Sequence, residues 1–283
     1  MDRDLKQMQD PLGLLRLGYA DALLPVAARQ WHNGAFDERT EQVVEETPVV
    51  IVYNGIPHVV MMATPLDLED FALGFSITEE LIRSPADLGR IEIVKYSQGI
   101  EVQATVAAEC EAVIAERTRR LVGRTGCGVC GSDSIEGVLK TLHPVENDVV
   151  ISAGAIERAL QSLSEHQRLN AAAGAVHAAA WAALDGSIGL AREDVGRHNA
   201  LDKLIGALLR AGDKPGEGFI VVTSRASFEM AQKATVFGAG LLAAISGPTG
   251  LAVRVAEQAG LTLVGFARRG RMTVYTHPQR VAA

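Results

Sequence analysis

The chain is short of sulfur, of aromatic rings and of positive charge. Three cysteines in 283 residues are an odd and small set, which excludes a disulfide framework and fits thiols kept reduced. Lys and Arg number 27 against 34 Asp and Glu, for a formal net charge of -7. That balance argues against general affinity for nucleic acid, which needs a basic face to displace counterions from phosphates. No apolar run approaches the roughly 18 residues that span a bilayer. The opening "MDRDLKQMQD" is too acidic and polar for a signal peptide, so a cytoplasmic location is expected. With 48% hydrophobic, 22% charged and 5% aromatic residues, what remains is an ordinary globular chain, rich in alanine and glycine and long enough for about two domains.

Residues 1–45 lack a sustained period and read as an irregular arm. In "TPVVIVYNGIPHVVMMAT", two β-rich runs flank Asn54-Gly55, a strong hairpin signal because both positions tolerate positive φ. "LDLEDFALGFSITEELI" then predicts a helix with acidic early turns, and "RIEIVKY" and "IEVQATV" predict two more strands. Residues 46–115 thus read as a small α+β domain. Cys110, in "VAAECEAV", reads as a packed thiol.

Residues 116–150 read as a linker carrying a charged run and a glycine-rich loop. From 151 to 283 strands and helices alternate: Ser152 as a helix cap, a hairpin at Asp185-Gly186, an amphipathic helix "HNALDKLIGALLRA" ending before Gly212, the strand "GFIVVTS", and the helices "SFEMAQKATVFG" and "GLAVRVAEQAG" among the strands "LLAAIS", "LTLVGFA" and "MTVYT". That alternation predicts a largely parallel sheet between helices, with ligands beyond the strand carboxyl ends.

The loop "RTGCGVCG" sets Cys127 and Cys130 three positions apart. The pair has the spacing of half a zinc site, with His143 following, but the fourth ligand is missing: Asn147 stands where a second histidine would be sought. No metal is expected. Sulfur carriage and dithiol redox chemistry fit better. Glycines leave the sulfurs little shielded, and Arg124 favours the thiolate over its unperturbed pKa of about 8.5. Spacing alone does not separate these two roles.

In "GFARRGR", Arg268, Arg269 and Arg271 surround Gly270 just after a strand. Arginine forks match phosphate oxygens bidentately and the glycine lets backbone N–H groups approach, so an anionic ligand is expected. "REDVGRHNALDK" places acidic, basic and imidazole groups at a strand-to-helix junction, with Asp202 and Lys203 one turn beyond His198; polar surface and function are equally plain readings. His177, beside alanines, reads as a core histidine.

Taken together, the "NG" turn, "CGVCG", "VHAAAW", "EDVGRHNALDKLIG", "TSRASFEM" and "LVGFARRGRMTVYTHPQR" resemble the FdhD/NarQ family of formate dehydrogenase accessory proteins, from about residue 45 to the end. The resemblance implies an α/β architecture, a cytidine deaminase-like three-layer α/β/α domain plus a smaller N-terminal α+β domain. It implies a sulfurtransferase that accepts sulfur from a cysteine desulfurase as a persulfide on Cys127, with Cys130 as second thiol. The acceptor would be the molybdenum cofactor, bis-molybdopterin guanine dinucleotide, held by Phe266, Ala267, Arg268, Arg269, Gly270 and Arg271. Phe266 offers a ring to a guanine or pterin plane. The formate dehydrogenase apoenzyme is the implied client and a homodimer the implied assembly, with neither nucleic acid nor membrane as partner. The alternative is a non-catalytic chaperone that shields the cofactor.

In cytidine deaminases a His-x-Glu on one helix and a Pro-Cys-x-x-Cys on the next hold zinc. By order of elements, His198 and the segment from Ser224 fall at those places; Ala200 stands at the glutamate position and the cysteines are absent. One departure from the family is Ala173-Gly174-Ala175, where many relatives read Thr-Gly-Gly.

Overall fold

The structure, a computed structural model, describes residues 21–121, 144–268 and 270–283. Its first element corrects the irregular arm. Strands β1 (Leu23–His32) and β2 (Ala35–Val44) form an antiparallel hairpin closed by Asn33-Gly34, both at positive φ. Most of its side chains are exposed, so no buried face imposes a period on the sequence. At its tip the Trp31 and Phe36 rings lie 5.0 Å apart, with Arg29 over Phe36.

The next body is a four-stranded sheet in the order β4-β3-β6-β5, built from β3 (Thr47–Tyr53), β4 (Ile56–Ala63), β5 (Leu88–Tyr96) and β6 (Gly99–Val106). Asn54-Gly55 turns β3 into β4 as expected, and the Asn54 side chain also ties the turn to Val106 and to Glu111 of α2 (Ala108–Leu121). Helix α2 carries order past residue 116, where the sequence reads as linker. Cys110 packs in this core, and burial pushes its thiol up from the usual range.

Helix α1 (Leu68–Thr78) packs under this sheet and is buried along nearly its whole length. Its other side meets α5 (Arg197–Ala211), which is buried from Asn199 to Leu208. The expected amphipathic helix is therefore enclosed on all sides, by the large sheet on one and by α1 on the other. The two helices touch backbone to backbone. A Cβ on Gly74 would stand 1.7 Å from the Asp202 carbonyl oxygen, and one on Gly206 1.8 Å from that of Asp70. Gly206→Ala is expected to force the helices apart and cost about 3 kcal/mol, the upper end of ordinary overpacking; a thermal denaturation midpoint within 1 °C of the parent would contradict this contact.

The larger body carries a six-stranded sheet in the order β13-β12-β11-β10-β8-β9. Its strands are β8 (His177–Ala183), β9 (Ile188–Asp194), β10 (Gly218–Val222), β11 (Leu241–Ala244), β12 (Thr262–Arg268) and β13 (Arg271–Val274). Only β10 with β11 and β11 with β12 run parallel; the other three pairs are antiparallel. The sheet is mixed rather than largely parallel, because tight hairpins at both sides join β8 to β9 and β12 to β13.

Successive residues of β10 serve opposite faces. Ile220 and Val222 pack with α5, α6 (Phe228–Phe237) and α7 (Gly250–Ala259), while Phe219 and Val221 pack with α3 (Ala153–Ser162). Burial on both faces makes the central strands β10 and β11 uninterrupted apolar runs and the body three layers, α/β/α. Ser152 caps α3 through Ala155 N–H as expected. Short helix α4 (Arg168–Ala173) lies against β2, and β7 (Ile151–Ser152) pairs parallel with β14 (Val281–Ala282).

Candidate functional site

One edge of the large sheet gathers the polar loops. β10, β11 and β12 end there, and because β8 runs antiparallel to β10, the start of β8 and the end of β9 reach it too, with His177 opposite Asp194. Helices α5, α6 and α7 begin on that edge, so three helix N-termini and their unsatisfied N–H groups face it.

The β12–β13 turn closes one side. Arg268 pairs with Arg271 across the turn, where Gly270 has φ 66°. Both arginines and Gly270 are exposed, and Ala267 is buried. Phe266 breaks the ladder register, adopts φ 50° and leaves 42% of itself exposed. Left-handed backbone at a bulky residue is a local strain. The ring lies so close to Gly247 that a Cβ there would stand 2.6 Å from Phe266 Cζ. The Phe266 N–H donates to the Ser246 carbonyl at 3.2 Å, and Arg268 Nε to that of Ile245 at 3.5 Å. Gly270 N–H donates to Glu157 Oε1 of α3 at 2.9 Å. The turn thus already holds an oxyanion on its backbone. Arg269, Cys127, Cys130 and His143 lie outside the described residues.

About three strand spacings away, roughly 14 Å, a second polar group occupies the starts of β8, α5 and α6. His198 Nε2 lies 3.0 Å from Glu229 Oε2, with the two side chains 25% and 20% exposed. Burial alone would raise the Glu229 carboxyl, but the close approach of His198 and the charges of His198, Lys233 and Arg197 outweigh it and hold it below the usual carboxylate range. Half-buried His177 is held below the ordinary histidine range, by burial first and then by Arg197 and His198. Rather than a core histidine, it is the first residue of the β8 edge. Among the described residues, Arg197 Nε, Ser227 Oγ and His198 Nε2 are buried atoms without a well-formed hydrogen bond, His198 Nε2 meeting Glu229 as a close ion pair.

Asp202 and Lys203 belong to neither group. Lys203 Nζ sits 2.7 Å from Asp194 Oδ2, both side chains 0% exposed, and donates to the Thr64 carbonyl at 2.9 Å. Asp202 pairs with Lys233 at 3.0 Å and accepts from Thr78. Both pairs lie within the large body and bond across to the small one, the first through the Thr64 carbonyl and N–H and the second through the Thr78 hydroxyl, so they join the two. Sequence reasoning missed this, and missed Glu157 and Glu229; only the position of Glu229 in the first turn of an expected helix hinted at the latter.

His198 is paired with Glu229, and Ala200 is buried in the core. No group of three His, Cys, Asp or Glu side chains able to hold a metal occurs among the described residues. No helix among them is long and apolar enough to cross a membrane. A cavity of about 660 Å³ lined by Asn147, Pro215 and Gly238 opens at the amino ends of β10 and β11, away from both polar groups.

The model of the FdhD/NarQ family matches residues 44–282. A protein of Cupriavidus necator named sulfur carrier protein FdhD is 50% identical over 255 residues, covering 90% of this chain and 88% of its own. One of the same name from Xanthomonas euvesicatoria pv. vesicatoria is 52% identical over 253 residues, 89% of this chain and 90% of its own. In fold, the chain is similar to a crystal structure from Desulfotalea psychrophila, described as a candidate formate dehydrogenase accessory protein, with a TM-score of 0.72 at 23% identity over 92% of this chain and 100% of that one.

Proposed function

The chain belongs to the FdhD/NarQ family, and from that premise we propose that it is a sulfur carrier for formate dehydrogenase maturation. Cys127 takes sulfur from a cysteine desulfurase. Its thiolate attacks the outer sulfur of the donor persulfide; that S–S bond breaks, a new one forms on Cys127, and the donor departs as thiolate. For release, the Cys130 thiolate attacks Cys127 Sγ. The outer sulfur leaves as hydrosulfide, the two cysteines end as a disulfide, and a cellular thiol reductant reopens it.

The substrate that receives the sulfur is molybdenum cofactor in its bis-guanine-dinucleotide form, bound at the β12–β13 turn. The observation that carries this placement is the Gly270 N–H already donating to a carboxylate oxygen between exposed Arg268 and Arg271. That donor set suits phosphate oxygens. Phe266, 42% exposed beside it, suits the face of a guanine or pterin ring. A cytidine deaminase-like reading of the large body is supported by its strand order and by helix starts at Arg197, one residue before His198, and at Phe228.

Calorimetric titration with guanosine diphosphate tests the placement. The double variant Arg268→Ala, Arg271→Ala is expected to bind at least about tenfold more weakly, the scale of one lost charge-assisted contact. Unchanged affinity would remove the turn from the site.

A further inference from the structure

The cluster of His177, Arg197 and His198 is left without a role by that reading. Its electrostatics are unbalanced. Two basic side chains and an imidazole depressed by both of them stand together. Asp194, the register partner of His177 across the ladder, is committed to Lys203, to the Thr64 and Gly196 N–H groups and to Asn199. Among the described residues, Glu229 offsets the cluster through His198 and the charge of Arg197, and the already paired Asp194 offsets His177 in part.

Among the described residues, the buried Nε of Arg197 has no hydrogen-bonded partner. A buried guanidinium N–H left unpaired is costly, and a charged oxygen is the partner that best relieves it. The surroundings add donors of the same kind. Helix α5 begins at Gly196 and α6 at Ser227 without a side-chain cap on either, and Ser227 Oγ is itself buried and unpartnered.

From this we infer a second oxyanion subsite, formed by Arg197, His198 and Ser227 with His177 behind them, that takes a phosphate-type group. It rests on the reading of this edge as an anion site and extends it. The β12–β13 turn lies about 14 Å off, three strand spacings along the sheet, so no single phosphate reaches both. The ligand fitted to the whole edge carries two anionic groups separated by rings, and the Phe266 face lies on the turn side of the span. Glu229 sets the strength of the subsite: it orients His198 and opposes an incoming anion.

The test is calorimetric titration with inorganic pyrophosphate at low salt. The parent chain is expected to bind two per chain. Arg197→Ala should leave one, and the Arg268→Ala, Arg271→Ala double variant should leave the other. Arg197 is not bonded to the protein through Nε, so thermal denaturation of Arg197→Ala should match the parent. Glu229→Gln keeps a hydrogen-bonding group for His198 and removes the opposing charge; severalfold tighter binding at the remaining site of the double variant is expected, a gain that a merely structural glutamate would not produce. One pyrophosphate per parent chain, abolished by the turn variant, overturns the second subsite and leaves the turn standing. Loss with Arg197→Ala but not with the turn variant keeps the subsite and overturns the turn. An Arg197→Ala chain that still binds two overturns the inference outright.

Discussion

Replacing Cys127 by alanine is expected to reduce formate dehydrogenase activity in cells to that of a strain lacking the protein. The expected loss is complete because alanine has no atom that can attack a persulfide or carry sulfur. Cys110 offers no substitute: it is buried in the core of the small body, and burial raises its pKa, away from the reactive thiolate form; Cys130, in the scheme, releases the sulfur and does not receive it. Folding should be spared, since Cys110 is the cysteine that packs into the described cores. Incubating the parent chain with a cysteine desulfurase and cysteine should add one sulfur to the peptide containing Cys127, detected by mass spectrometry, and the alanine variant should gain none there. A folded variant that supports full activity would refute the carrier scheme and leave cofactor shielding as the function.

The largest stability effect is expected from Lys203→Met. Removing the ammonium strands the Asp194 carboxylate, 0% exposed, at a point where the small body meets the large one. Breaking a buried pair by deleting one partner costs about 3–5 kcal/mol. For a chain of this size that lowers the midpoint of thermal unfolding by roughly 10 °C. Adding Asp194→Asn to the same chain should recover part of the loss, because it removes the stranded charge while its one amide oxygen still accepts from the Gly196 N–H and Asn199 groups that bond Asp194 Oδ1 in the parent, giving up the Thr64 bond to Oδ2. Were the double variant as unstable as the single one, the penalty would lie in packing rather than in charge.

The elements that could be read from sequence are those whose signals are local. Asn54-Gly55, the Ser152 cap, the Asp185-Gly186 hairpin and the apolar strands of the large sheet each announce themselves within a few residues. The Asn33-Gly34 turn carries the same chemistry as Asn54-Gly55, yet its strands hide it: with both faces mostly in water, β1 and β2 need no alternation. Strand direction failed for a related reason, since apolar runs reveal burial on two faces but not orientation.

The site divides in the same way. Arginines around Gly270 were visible because like charges beside a glycine stand out in any composition. Sequence leaves Asp202 and Lys203 undivided between polar surface and function because what buries them is α1, a helix more than a hundred residues upstream, whose Gly74 closes against their own helix. Glu157 and Glu229 became site residues only through contacts made by the folded chain, to Gly270 and to His198.

Phe266 links the two themes of stability and ligand recognition. Its φ of 50° is a conformation that glycine would adopt freely and phenylalanine holds at a cost of about 1–3 kcal/mol. An engineer optimising this protein for thermostability alone would therefore be drawn to Phe266→Gly, and would relax the backbone while deleting the one exposed ring of the β12–β13 turn. The position is a point where heat resistance and activity pull in opposite directions.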